Sequence, residues 1–240
     1  MTIYLTELDC DELWFPSSFD ALDDPNGLLA FGGDLSSERL LLAYQNGIFP
    51  WYGPGEPILW WSPSPRAVFD PKNFQPAKSL KKFQRKHQYQ VTINHATDQV
   101  IDYCASTRSK EETWLNEEMR TAYKQLAQQG HCHSVEVWKN DTLIGGLYGL
   151  AIGQVFCGES MFSLVTNASK IALWYFCEHF KRHQGQLIDC QVLNPHLASL
   201  GAIELNRQDF SQRLLSFNSK PLLENCFLKQ ALTLDGRGEE

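Results

Sequence analysis

The run from Ser134 to Pro195 leaves the chain little freedom in how it folds. Ser134-Val-Glu-Val-Trp138 and Thr142-Leu-Ile-Gly-Gly-Leu-Tyr148 flank the polar Lys139-Asn-Asp141 and predict a hairpin. Gln154 to Cys157 follows as a third strand. Asn167-Ala-Ser-Lys170 opens the longest apolar helix, which runs to about Arg182. A strand around Asp189 and a short helix from Pro195 complete the run. Strands, helix, strand, helix in that order specify an α+β fold.

Two acids lie inside these apolar runs: Glu159 in Gln154-Val-Phe-Cys-Gly-Glu-Ser-Met-Phe162, and Asp189 in Gln186-Leu-Ile-Asp-Cys-Gln-Val-Leu193. Burying an unpaired carboxylate costs several kcal/mol, roughly, so each acid needs a partner. That partner is either internal or a substrate. Two acids one helix apart favour a site.

The chain divides near residue 65. Residues 1–65 hold the turn signals Asp24-Pro-Asn-Gly27, Gly32-Gly-Asp34, Gly53-Pro-Gly-Glu-Pro57 and Ser62-Pro-Ser-Pro65, with one capped helix between Ser36 and Gly47. They predict a small loop-rich N-terminal domain. Residues 66–240 open with strands at Arg66–Phe69 and Tyr89–Ile93, then helices over Asp98–Ala105 and Glu117–Gln129.

A formal charge of -7 and 43% hydrophobic residues describe an ordinary soluble protein. No apolar run approaches the ~20 residues of a membrane span, and the acidic amino terminus is unlike a signal peptide. A cytoplasmic, membrane-free location is expected. Seven cysteines without a C-x-x-C pair fit reduced, buried thiols. His131-Cys132-His133 lacks a second ligand pair, so structural histidines and no metal are expected. Between Pro71 and Thr97 there is no acid, while Lys72, Lys78, Lys81, Lys82, Arg85 and Lys86 are cationic. Lys78, Lys81, Lys82 and Arg85 share one helical face, which serves equally as a solvated surface or as a phosphate contact.

The element order resembles the core of the GCN5-related acetyltransferases (a GNAT-like α/β core). That family's R/Q-x-x-G-x-G/A coenzyme-A loop is replaced here by Phe162-Ser-Leu-Val-Thr-Asn-Ala-Ser-Lys170, a poor pyrophosphate cradle, so a coenzyme-A donor is not expected. Nearly end to end the chain resembles the leucyl/phenylalanyl-tRNA-protein transferases. The resemblance is carried by Pro25-Asn-Gly-Leu-Leu-Ala-Phe-Gly-Gly-Asp34, Gly47-Ile-Phe-Pro-Trp51, Pro57-Ile-Leu-Trp-Trp-Ser-Pro63 with Pro65-Arg-Ala67, His133-Ser-Val-Glu-Val-Trp138, Phe156-Cys-Gly-Glu-Ser-Met-Phe-Ser163 and Leu187-Ile-Asp-Cys-Gln-Val-Leu-Asn194. The tail after Arg207 matches weakly. The resemblance implies transfer of Leu or Phe, sometimes Met, from aminoacyl-tRNA to an amino-terminal Arg or Lys of a protein, marking it for proteolysis. It implies no cofactor and no DNA partner.

Such a reaction is aminolysis of an activated ester. It needs positioning, loss of one proton and oxyanion stabilisation rather than a covalent nucleophile. The resemblance assigns catalysis to Asp189 and Gln191, which as strand residues two apart would share a face, with Cys190 opposite. Asp189 is expected to orient the acceptor amine, Gln191 to polarise, and Glu159 to bind the acceptor's cationic side chain. Leu147, Phe156, Leu173, Phe176 and Ile188 are ordinary core candidates that the resemblance promotes to an aminoacyl side-chain pocket. Trp51 and Trp114 are candidates to stack the terminal adenosine; Trp60, Trp61, Trp138 and Trp174 are expected to pack. Lys78, Lys81, Lys82, Arg85 and Lys86 would hold tRNA phosphates. Two alternatives stay open: a coenzyme-A-dependent N-acyltransferase, and a binding module without turnover.

Overall fold

Turn chemistry punctuates the first 65 residues, yet main-chain pairing between the turns builds a sheet. In the computed structural model, which describes residues 4–107 and 115–234, β1 (Thr6–Leu8), β2 (Leu28–Gly32), β3 (Phe49–Pro50) and β4 (Leu59–Trp61) pair in the order β1-β2-β4-β3. The module remains rich in loops, and the sheet is a feature the turn signals did not announce. Strands of two to five residues are too short to show an alternating pattern. The expected helix is α1 (Ser37–Gln45), whose Ser36 hydroxyl accepts the Arg39 N–H at 3.3 Å. Arg39 is buried and gathers this module: it contacts Asp34 at 3.2 Å and donates to the carbonyls of Asp9 and Glu12. Gly33, at φ 70°, lets the turn pass the guanidinium, because a Cβ there would lie 3.1 Å from Arg39 Nε.

The rest of the chain runs β5 (Arg66–Phe69), α2 (Lys78–His87), β6 (Gln90–Ile93), α3 (Thr97–Ser106), α4 (Glu117–Gln128), β7 (Cys132–Lys139), β8 (Thr142–Ile152), β9 (Val155–Ser163), α5 (Ala168–Arg182), β10 (Leu187–Asp189), α6 (Pro195–Ser199), β11 (Ile203–Leu205), α7 (Arg207–Phe217) and β12 (Gln230–Ala231). Its sheet has the order β11-β5-β10-β9-β8-β7-β6-β12. The fold is α+β.

Alternation along the central strands explains the layers. Val135, Val137, Leu147, Phe156 and Ile188 point to a core shared with α2 and α5. Cys132, Tyr148, Leu150, Cys157 and Leu187 point the other way, to a core shared with α3, α4, α1 and the first sheet. The small sheet therefore packs on the large one through continuous apolar contacts. Arg207, where the sequence resemblance fades, strengthens this junction by donating to the carbonyls of Ser18 and Ser62 at 2.6 and 2.8 Å. Among the described residues no helix is long and apolar enough to cross a membrane.

Candidate active site

The site begins where two parallel strands part. β9 and β10 pair from Leu187↔Val155 to Asp189↔Cys157. Beyond Asp189 the chain leaves β9 and stays with β5: Cys190 N–H donates to the Ala67 carbonyl and Ala67 N–H to the Gln191 carbonyl. A crevice at the carboxyl ends of parallel strands is a recurrent place for ligands. On β9 the register jumps from Tyr148↔Ser160 to Gly149↔Gly158, so Glu159 is the extra residue of a bulge. Bulges next to sites re-aim a side chain, and this one turns Glu159 toward the crevice.

Asp189 is fully engaged from inside. The Arg66 guanidinium donates to both of its oxygens at 2.8 Å, and both side chains are only 1% exposed. The rings of Phe49 and Phe210 lie 4.9 and 4.7 Å from the guanidinium carbon, so the first module and α7 close over the pair. Burial alone would lower the Arg66 pKa; the Asp189 charge raises it above its ordinary value. The Asp189 carboxylate is thus turned toward Arg66. The geometry corrects one expectation: Asp189 does not share a strand face with Gln191. β10 ends at Asp189, and Gln191 takes φ 59°, a left-handed conformation uncommon outside glycine. Asp189 Oδ1 instead accepts the Gln191 N–H at 3.0 Å and holds that turn.

The turn delivers Gln191 to Glu159. Gln191 Nε2 donates to Glu159 Oε1 at 3.1 Å, and the Tyr123 hydroxyl donates to Oε2 at 2.8 Å, with the Tyr44 hydroxyl 2.7 Å behind Tyr123. Burial pushes the Glu159 carboxyl up to about 7, although the tyrosine hydroxyls lower it and Asp189 adds repulsion. Near neutral pH the group is therefore poised between its two forms, where a cationic ligand would select the charged one. Cys190, expected opposite Gln191, also borders the crevice. Burial and the Asp189 charge raise its thiol pKa far above the usual range, which leaves it no thiolate with which to attack.

Around Glu159 and Gln191 opens a cleft of about 1110 Å³ between the two modules. This exceeds most small-molecule pockets, which span about 300 to 1,000 Å³. Leu147, Phe156, Leu173, Phe176 and Ile188, the five expected pocket residues, all line it. Phe156 and Phe176 meet with ring centroids 4.4 Å apart. Trp51 stands at the rim, 47% exposed, braced edge-on by Trp61, whose indole N–H donates to the Trp51 carbonyl. Trp60, Trp138 and Trp174 pack: Trp60 is fully buried, Trp138 is hydrogen-bonded to Thr92, and Trp174 is 7% exposed. Trp114 lies outside the described residues.

The cations of α2 are exposed, and none of Lys78, Lys81, Lys82, Arg85 or Lys86 forms an ion pair with a described residue. Leu80 and Gln84 face inward, and Gln84 donates to the Tyr175 hydroxyl of α5, the helix that supplies Leu173 and Phe176 to the cleft. His133 is held structurally, stacked on Phe227 at 3.7 Å and beside Asn94.

Arg66, Tyr44 and Tyr123 escaped sequence reasoning. The tyrosines sit on apolar helix faces and read as core, and Arg66 was visible only as an arginine opening an apolar strand, within the Pro65-Arg-Ala67 word, with no role attached.

A family model described as leucyl/phenylalanyl-tRNA protein transferase matches residues 68–215, and that of its N-terminal domain matches residues 33–64. A leucyl/phenylalanyl-tRNA–protein transferase of Vibrio cholerae serotype O1 is 71% identical over 232 residues, covering 97% of this chain and 96% of its own. Those of Vibrio atlanticus and Aliivibrio fischeri are 70% and 64% identical, each over 97% of this chain and 98% of their own. Among solved structures, a conserved protein of unknown function from Bacteroides thetaiotaomicron superposes with TM-score 0.44 at 10% identity over 66% of this chain and 57% of its own. L-PGS from Bacillus licheniformis gives TM-score 0.37 at 9% identity over 85% and 66%. Superpositions this loose carry no argument. Sequence similarity over almost the whole length does: this chain belongs to the leucyl/phenylalanyl-tRNA protein transferase family.

Proposed function

We propose that the cleft brings the aminoacyl end of a charged tRNA against the amino terminus of an acceptor protein, moving Leu or Phe, or Met, onto an N-terminal Arg or Lys. The product is a protein marked for degradation through its new first residue. The observation that carries this reading is the polarity of one cleft: five apolar side chains on one wall, and Glu159 with Gln191 where β9 and β10 part.

In the transfer, the acceptor's neutral α-amine attacks the ester carbonyl, the C–N bond forms, and the C–O bond to the terminal ribose breaks. The proton lost by the amine balances the one gained by the ribose oxygen. The amine's reference pKa of about 7.7 to 8.0 leaves enough neutral form that no strong base is required. Glu159 binds the acceptor's guanidinium or ammonium in its ionised form. Gln191, on a strained and anchored turn, hydrogen-bonds the reacting groups. Asp189 acts as a positioning residue, holding the Gln191 N–H while paired with Arg66. Leu147, Phe156, Leu173, Phe176 and Ile188 seat the donor side chain, and Trp51 stacks the adenosine. The exposed α2 cations, on a helix packed against α5, contact acceptor-stem phosphates. Residues 66–240 act as a GNAT-like core and residues 1–65 as a small domain that closes one side of the cleft. The order β7-β8-β9-α5-β10-α6 supports that view, and a cytoplasmic location suits a tRNA substrate.

The test incubates purified protein with labelled Leu-tRNA and an Arg-initiated peptide, with no added cofactor. The peptide should gain one Leu. Binding without elongation, or elongation only with an acyl-coenzyme A, would overturn the proposal.

A further inference from the structure

The cleft holds a second carboxylate to which the transfer assigns nothing. Among its described lining residues there is no Lys or Arg, and the only acids are Glu159 and Glu204. Glu204 lies on β11, the edge strand of the large sheet, where it is exposed and forms no ion pair with a described residue. A lining whose only charges are negative attracts a cationic ligand and repels phosphate. The side of the cleft at Glu204 therefore suits the acceptor rather than the tRNA backbone.

Strand register fixes where Glu204 stands. It pairs with Ala67 on β5, and on the other side the Ala67 N–H donates to the Gln191 carbonyl at 3.0 Å. Glu204, Ala67 and Gln191 are thus abreast, and at about 4.8 Å between neighbouring strands Glu204 stands about 10 Å from Gln191. Its face is fixed as well. Ala67 and Phe69 alternate with Arg66 and Val68 along β5, and Phe69 pairs with Ile188 on the cleft wall, so Ala67 and its partner Glu204 point to that face. Glu159 faces the other side: its Oε2 is held by Tyr123, which belongs to the core on the opposite face.

The two carboxylates therefore flank Gln191 on opposite faces of the sheet. Successive side chains of an extended chain also point to opposite faces. An acceptor with its amine at Gln191 and its first side chain on Glu159 directs its second side chain to the face of Glu204. Two residues advance the chain about 7 Å of the distance, and a Lys or Arg side chain covers the rest. Pro65 and Val192, next in the chain to Arg66 and Gln191, line the same cleft and offer apolar surface to the methylene stem. We propose that Glu204 forms a subsite for the acceptor's second residue and selects Lys or Arg there over Asp or Glu. This rests on the transfer reading above and deepens it; Glu204 sets specificity and touches no reacting atom.

Three otherwise identical peptides beginning Arg-Lys, Arg-Ala and Arg-Glu test the subsite, with labelled Leu-tRNA as donor. For the wild type, kcat/KM should be about tenfold higher for the Arg-Lys than for the Arg-Glu peptide, and that ratio should shrink as salt is raised. Glu204→Gln should bring the ratio below about threefold, and Glu204→Lys should invert it. Each ratio is taken within one protein, so a loss of folded enzyme cancels. Elongation of the Arg-Ala peptide with the same Arg-Lys to Arg-Glu ratio in all three proteins overturns the subsite and leaves the transfer reading standing. Elongation of none of the peptides by the wild type overturns both.

Discussion

Replacing Glu159 with Gln keeps the shape of the site and removes its titration. Burial moves the wild-type carboxyl from 4.5 to about 7. At about 1.4 kcal/mol per pH unit, that difference makes the ionised form about 3 kcal/mol less compatible with the folded state than the neutral one. The sign follows from proton binding. Between pH 4.5 and about 7 the folded protein holds the proton more tightly than the unfolded chain, so this contribution is present at low pH and is lost as pH rises through 7. Glu159→Gln should therefore match the wild type near pH 5 and exceed its stability by up to about 3 kcal/mol at pH 8 in urea unfolding. Ligand binding should change in the opposite sense. With a pKa of about 7, roughly a tenth of the wild-type carboxyl is ionised at pH 6 and roughly nine tenths at pH 8. If the carboxylate receives the acceptor's cation, affinity for an Arg-initiated peptide should rise about tenfold over that range. The peptide's own amine titrates nearby, but it contributes equally to the variant, so the ratio of wild-type to variant affinities isolates Glu159. Fluorescence titration at several pH values measures that ratio. A ratio independent of pH, together with equal stability of the two proteins at pH 8, would refute both the elevated pKa and the acceptor contact.

Asp189→Ala strands the Arg66 charge between two aromatic rings and should cost about 3 to 5 kcal/mol in urea unfolding. The paired Arg66→Met, Asp189→Leu variant should recover most of that stability while transfer stays impaired, because the Gln191 N–H has lost its acceptor; recovery of full turnover would deny Asp189 its positioning role. Leu173→Phe fills the apolar wall and should reduce kcat/KM for a Phe donor more than for a Leu donor, by about tenfold, in line with about 1 to 3 kcal/mol per methylene in such pockets; equal losses would place Leu173 outside the donor site. Removing Lys81, Lys82 and Arg85 together as alanines should reduce the slope of log affinity for tRNA against log salt by about 2 to 3, and an unchanged slope would return the α2 stripe to a solvated surface.

Much of the C-terminal architecture was legible before any coordinates. Long periodic segments such as the hairpin after Ser134 and the helix from Ala168 to Arg182 carry their own signals, and the capped helix after Ser36 announces both its ends. The first sheet was not legible. Its two-to-five-residue strands are stabilised by partners distant in sequence, as β4 is between β2 and β3. The segment after Arg207 was equally silent, although α7 buries Phe210 and Leu214 against the first module.

Which acids would matter can be read from the chain alone, because an acid set among Phe156, Met161, Ile188 and Val192 must find a partner, whatever the fold. Which partner each acid finds depends on contacts that exist once the chain has folded. Arg66 comes from 123 positions away to take Asp189, and a bulge with a left-handed turn brings Glu159 and Gln191 together in the open cleft. Strand periodicity predicts where a side chain points only while the strand stays regular, and the site is built where regularity stops.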